Sequence, residues 1–130
     1  MRFEKVALLP DKTNQFYKCV TRRYCEELTM SAYLIVRAEV DPSVREGFDT
    51  WYQNEHLPDA VKAFKALSAK RGWSEVEDNV HIAFYEFPDA NTANNIASSD
   101  TIKEFIKEFD RHWEGKVTRS RDVVEFSQKI

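Results

Sequence analysis

Between Ala32 and Phe126 two hydrophobic periods alternate, and their order constrains the fold more than any other feature of the chain. Ala32-Tyr33-Leu34-Ile35-Val36-Arg37-Ala38-Glu39-Val40 is β-branched and apolar, with Leu34, Val36, Ala38 and Val40 on one parity and Arg37 and Glu39 on the other, as a strand requires. Asp41-Pro42-Ser43 is a turn and a helix start. Val44, Phe48, Trp51, Tyr52 and Glu55 then follow helical spacing and form one stripe. Pro58 disfavours helical geometry at Leu57, so this helix is predicted to end or break near His56, with a short resumption over 59–67. Arg71-Gly72-Trp73-Ser74-Glu75-Val76 is predicted as a second strand and Glu77-Asp78-Asn79 as a tight turn. Val80 to Phe87 is the third strand. Pro88-Asp89 opens a short helix through Ala93, Ile96 and Ala97. Thr101 and Glu104 fit a capping box ahead of the stripe Ile102, Phe105, Ile106, Phe109 and Trp113. Gly115 ends that helix, and Val117 to Phe126 is the last strand.

The order β-α-β-β-α-β predicts an α+β, ferredoxin-like fold: a four-stranded antiparallel sheet with helices on one face. The other face then needs cover. Tyr33, Ile35, Arg37, Trp73, His81, Ala83 and Tyr85 are assigned to it, a mixture too apolar for a wet sheet and too polar for a dry core. Such a face suits a lined cavity, closed when two copies pack sheet against sheet as a homodimer. Residues 30–130 make up this domain. Residues 1–29, with Cys19, Cys25 and little sustained period, are read as an N-terminal extension outside it, since the pattern from Met30 onward is complete without them.

Composition narrows the partners. A length of 130 residues suits one domain with a core of its own. A net charge of -3 speaks against a general nucleic-acid binder, whose affinity comes from phosphate neutralisation. No apolar run approaches the roughly 20 residues that span a bilayer, so no membrane partner is expected. The N-terminus lacks a secretory pattern, which leaves a cytoplasmic location as the expectation. Two cysteines make no disulfide framework, and three glycines make no phosphate-cradling loop. No cofactor is expected. His56, His81 and His112 are too dispersed for metal-ligand spacing, and Glu55-His56 is not a zinc motif, so no metal is expected either; sequence leaves a single-histidine haem ligand open. A serine nucleophile elbow is absent.

His56 is the catalytic candidate, since its ordinary pKa lies near neutrality and suits a general base or acid. The alternative is a histidine that caps the helix end, its charged form favoured at the negative pole. Glu55 precedes it, but adjacent helical residues point about 100° apart, so the two are not a direct dyad. Trp51, Tyr52 and Trp73 are candidates to stack on a flat ligand, against a plain role in the core. His81 and Tyr85 share a strand parity and are candidate ligand contacts; for His81 a buried, hydrogen-bonded histidine is the alternative. Arg37, with Arg71, Arg119 and Arg121, is a candidate cationic lining for a carboxylate or phenolate, against paired surface charge. The Phe105, Ile106, Phe109 and Trp113 stripe is read as core.

Strand Tyr33–Val40, the motif Phe48-x-x-Trp51-Tyr52-x-x-Glu55-His56-Leu57-Pro58-Asp59 and the hairpin ending Phe84-Tyr85-Glu86-Phe87 resemble the dimeric α+β-barrel superfamily, and within it the EthD-like and related small domains. The resemblance covers about residues 31–126. It implies a homodimer, a pocket between helices and sheet with a histidine near its mouth, and small, often aromatic ligands. Activities in the superfamily include cofactor-independent monooxygenases, polyketide cyclases, lactone isomerases and haem binding, and fold alone does not choose among them. The expected function is binding of a small aromatic or polyketide-like molecule, with cofactor-free cyclase, isomerase or monooxygenase chemistry. A non-catalytic ligand-binding or regulatory dimer is the alternative. RNA binding ranks last; it would rest on the shared element order and on Lys70-Arg71-Gly72-Trp73.

Overall fold

The computed structural model describes residues 31–130, so the extension over 1–29 and both cysteines lie outside the described residues. A compact unit spans Ser31–Glu125. Its strands are β1 (Ala32–Val40), β2 (Ser68–Trp73), β3 (Val80–Phe87) and β4 (Val117–Glu125). They form one sheet in the order β2-β3-β1-β4 with every pair antiparallel. Between β1 and β2 run α1 (Arg45–Trp51), a π-helical turn (Tyr52–His56) and α2 (Leu57–Phe64). Between β3 and β4 run α3 (Ala90–Ala97) and α4 (Asp100–Trp113). This is the ferredoxin-like α+β order expected from the periodicities.

The local signals explain most boundaries. Asp41 accepts from the backbone N–H of Ser43 at 2.8 Å, opening a single 3₁₀ turn at Pro42. Asp89 caps α3 by accepting from the Thr92 N–H at 2.7 Å. The cap of α4 is Ser99, whose hydroxyl accepts from the Ile102 N–H at 3.2 Å, and not the expected Thr101–Glu104 box. Gly115, at φ +85, takes the left-handed conformation that turns the chain from α4 into β4.

Two expectations about this half of the chain are corrected. Leu57 keeps helical geometry (φ -65, ψ -46), and the helix does not stop at His56. The turn before Pro58 widens instead, and the Leu57 N–H reaches back five residues to the Tyr52 carbonyl. A wider turn relieves the clash of the proline ring with the carbonyl four residues earlier, so the chain stays helical to Phe64. The second strand occupies Ser68–Trp73 and not 71–76. Ser74 ends it: its hydroxyl accepts from the Val76 and Glu77 N–H groups, both at 3.0 Å, which diverts the backbone from the ladder into a turn.

Register corrects the assignment of the open face. Leu34 pairs with Tyr85, Val36 with Ala83 and Ala38 with His81, while Trp73 also pairs with His81. Directly paired residues share a face, so His81, Ala83, Tyr85 and Trp73 look toward the helices with Leu34, Val36 and Ala38. The sheet face away from the helices carries Tyr33, Ile35 and Arg37 as expected, but with Ile82, Phe84 and Glu86 from β3. The same register aligns Arg119 with Ala38 and Arg121 with Val36, on the helix side of β4.

The core lies between sheet and helices. Leu34, Phe48, Tyr52, Tyr85 and Phe87 are almost completely buried there. Each such side chain contributes roughly 1.5–3 kcal/mol by leaving water. Phe48 sits at its centre, with the rings of Tyr52, His81 and Trp113 at 5.3, 5.2 and 5.5 Å.

Candidate functional site

Helix layer and sheet do not close completely. An inner chamber of about 30 Å3 is lined by residues that include Val36, Tyr52, His56, Tyr85, Phe105, Arg119 and Arg121. That is room for roughly two water-sized groups. An outer cleft of about 270 Å3 is lined by Trp51, Glu55, His56, Asp59, Glu104, Phe105 and Glu108. His56 and Phe105 belong to both linings, so they stand where chamber and cleft adjoin.

The π-helical turn brings the aromatic wall and the imidazole together. His56 stacks on Trp51 at 4.6 Å with 22° between ring planes, and Tyr52 meets it edge-on at 4.7 Å. Phe105 and Phe109 of α4 close the other side at 5.7 and 5.9 Å. Burial, then the nearby Arg119 and His112, push the His56 pKa down to about 4. His56 is therefore neutral at physiological pH. It is also not a C-terminal cap, because the helix continues for two more turns beyond it.

At the chamber end, the hydroxyls of Tyr52 and Tyr85 lie 3.3 Å apart. Burial raises both phenols, that of Tyr52 to about 12, so both stay protonated. Arg119 donates to Asp110 at 3.0 Å and covers the Phe109 ring at 4.1 Å. Arg121 lines the same chamber, and burial followed by repulsion from Arg119 lowers its pKa.

Beside this site lies a second polar group. Oδ1 of Asp49 accepts from Arg71 at 2.8 Å and from the Trp73 indole N–H at 2.9 Å. These two bonds hold the Asp49 carboxyl below its ordinary pKa. Arg71 also lies 3.3 Å from Nε2 of the fully buried His81. The His81 ring touches Tyr52 at 4.4 Å, which links this network to the chamber wall without entering it.

The structure thus brings together Trp51, Tyr52, His56 and Tyr85 from the predicted site. Glu55 is exposed on the cleft rim, apart from the chamber. Trp73 and His81 stand behind the wall, in the Asp49–Arg71 network. Arg37 lies on the opposite face of the sheet, where it pairs with Glu39 at 2.8 Å and with Glu77. Phe105, read as core, lines both cavities. Arg119 and Arg121 had a visible signal, since they share a parity with Val117 and Val123 and so with the inner face. Arg71 and Trp73 point toward the helices and bond Asp49, so neither is presented on the open sheet face that RNA-recognition domains use. Among the described residues, no three His, Cys, Asp or Glu side chains converge as metal ligands, and no helix is long and apolar enough to cross a membrane.

No protein-family model matches the sequence, and no curated protein matches it by sequence. Solved structures do match. A dimeric ferredoxin-like protein from an uncultured marine organism superposes with TM-score 0.59 at 14% identity, over 78% of this chain and 99% of that one. An EthD family protein from Bacillus halodurans gives TM-score 0.54 at 17% identity, over 70% of this chain and 96% of that one. The chain shares with them the ferredoxin-like α+β fold. A third match is SnoaB, a cofactor-independent oxygenase from Streptomyces nogalater, with TM-score 0.51 at 9% identity over 78% of this chain and 97% of that one.

Proposed function

We propose that this protein binds a small aromatic or polyketide-like molecule in the cleft, with one end in the chamber, and transforms it without a cofactor. The reaction class is cyclisation, isomerisation or oxygenation, with His56 moving the proton. One observation carries this reading: a neutral imidazole stands at the junction of cleft and chamber, stacked on Trp51. With its pKa near 4 the resting imidazole is a weak base. Negative charge developing on a ligand beside it raises its proton affinity, so the base strengthens as the reaction proceeds. The oxygenase description of SnoaB and the description of another match as an antibiotic biosynthesis monooxygenase support the reaction class.

The working unit in this proposal is a homodimer. Tyr33, Ile35, Ile82 and Phe84 share one sheet face, with Tyr33 and Phe84 in edge contact at 6.4 Å. A second copy packed on that face would close the barrel, and a matched structure is described as dimeric.

The test is turnover of a panel of anthrones, naphthols and polyketide lactones, read by oxygen uptake and product mass, with wild type, His56→Ala and His56→Asn. Loss of general base catalysis costs about 10²–10⁴-fold in rate. A folded His56→Ala protein that keeps full turnover would remove His56 from the chemistry. A co-purified molecule that native mass spectrometry shows unchanged, with no turnover of the panel, would favour the non-catalytic binding dimer.

A further inference from the structure

The inner chamber has a charge that its walls do not balance. Arg119 and Arg121 both line it, from the helix side of β4. Asp110 pairs with Arg119. Among the described residues, Arg121 makes no hydrogen bond or ion pair. The remaining lining, apart from His56 and the two tyrosines, is Leu34, Val36, Phe64, Ile102, Phe105, Ile106 and Phe109, all apolar. Arg121 keeps contact with solvent, and two guanidiniums against one carboxylate leave the chamber an excess positive charge that a bound anion would meet.

The tyrosine pair supplies the second half of the case. A phenol has one proton to donate. Of the two hydroxyls 3.3 Å apart, one donates to the other, and the acceptor keeps its own proton for a third group. Both phenols line the chamber, so that proton is available to an oxygen placed there.

Building on the functional reading above, we infer that the chamber is an oxyanion site: it takes the carboxylate or the ionised enol or phenol oxygen of a small apolar acid, with Arg121 as counter-charge and the Tyr52–Tyr85 pair as neutral donor. Chamber size fits a head of two or three heavy atoms, and the body occupies the cleft. Glu55, Asp59, Glu104 and Glu108 at the cleft rim do not reverse this preference. Glu55, Asp59 and Glu104 face solvent, where water and salt weaken their field over about 10 Å, and half-buried Glu108 pairs with Arg111. Arg119, its side chain 13% exposed, acts across an apolar wall, where the same charge counts for several times more, while Arg121 reaches the chamber from a solvent-exposed position.

The test compares 2-naphthoate with its neutral, nearly isosteric amide 2-naphthamide, titrated calorimetrically into the full chain at pH 7.5. The naphthoate is expected to bind at least tenfold more tightly. Arg121→Gln is expected to bring the ratio to about one while naphthamide affinity stays within twofold, which shows that the pocket is intact. Tyr52→Phe is expected to reduce the ratio by a smaller factor. Equal binding of both compounds by wild type, or an unchanged ratio in Arg121→Gln, would overturn the oxyanion site and leave the cavity as a ligand site. Binding of neither compound would overturn both.

Discussion

The Arg71 guanidinium lies 3.3 Å from Nε2 of His81, and the contact determines which tautomer the buried ring adopts. Arginine can only donate, so Nε2 must be the unprotonated nitrogen and Nδ1 carries the hydrogen. Long-range ¹H–¹⁵N spectra of the folded protein should show Nε2 of His81 at the shift of a bare ring nitrogen at pH 7. The opposite tautomer would mean that Arg71 serves Asp49 alone.

Two histidines make stability depend on pH in a defined window. His56 and His81 each have their pKa lowered from 6.5 to about 4, burial being the main cause. Below pH 6.5 the unfolded chain takes up protons that the folded chain refuses. Their contribution is therefore complete above that pH and is lost as pH falls toward about 4. At about 1.4 kcal/mol per unit the pair contributes on the order of a few kcal/mol. Urea unfolding at pH 7.5 and pH 5 should show a clear drop in midpoint, and His81→Phe should flatten it. A midpoint that does not move would refute the neutral buried pair.

Asp49 holds α1 to β2. Asp49→Ala removes the acceptor for both Arg71 and the Trp73 indole at once. Arg71 is mostly buried, its side chain 15% exposed, so a guanidinium would be left without its carboxylate. The expected loss is about 2–4 kcal/mol. Asp49→Asn, which keeps an acceptor without the charge, should recover part of it. Both values follow from denaturant midpoints at pH 7.5.

Association can be tested from the sheet face away from the helices. Phe84→Glu places a carboxylate beside Tyr33 on that face, away from the chamber. Light scattering on a sizing column should give a dimer mass for wild type and half that mass for the variant. A wild-type monomer at high concentration would remove the barrel from the functional reading.

Element order was legible because both periods are clean: the Phe48–Trp51–Tyr52 stripe and the Ile102–Phe109 stripe each leave one solution. Strand faces were not. Val80-His81-Ile82-Ala83-Phe84-Tyr85 is apolar on both parities, so alternation cannot say which side is inner, and only pairing with β1 decides. Ser68-Ala69-Lys70 is too polar and small to stand out as a strand, and it is held by its ladder to β3. The widened turn before Pro58 is a hydrogen-bond pattern with no residue signature beyond the proline. Trp51, Tyr52 and His56 were identifiable from the motif itself. Phe105 was not, because its role depends on where α4 crosses the first helix.

That wide turn also makes the site depend on a count of residues. Tyr52 to His56 accommodates one residue more than a regular helix would in the same span. Losing a single codon, at Gln53 or Asn54, would let the span rewind as regular helix with its flanks held in place, setting the imidazole four residues after its tryptophan. Every original side chain at the site would survive such a deletion, and the imidazole and its indole platform would still share a face; rewinding the turn without the deletion would instead set them on different faces. Relatives of this chain are then better compared by spacing from tryptophan to histidine than by identity alone.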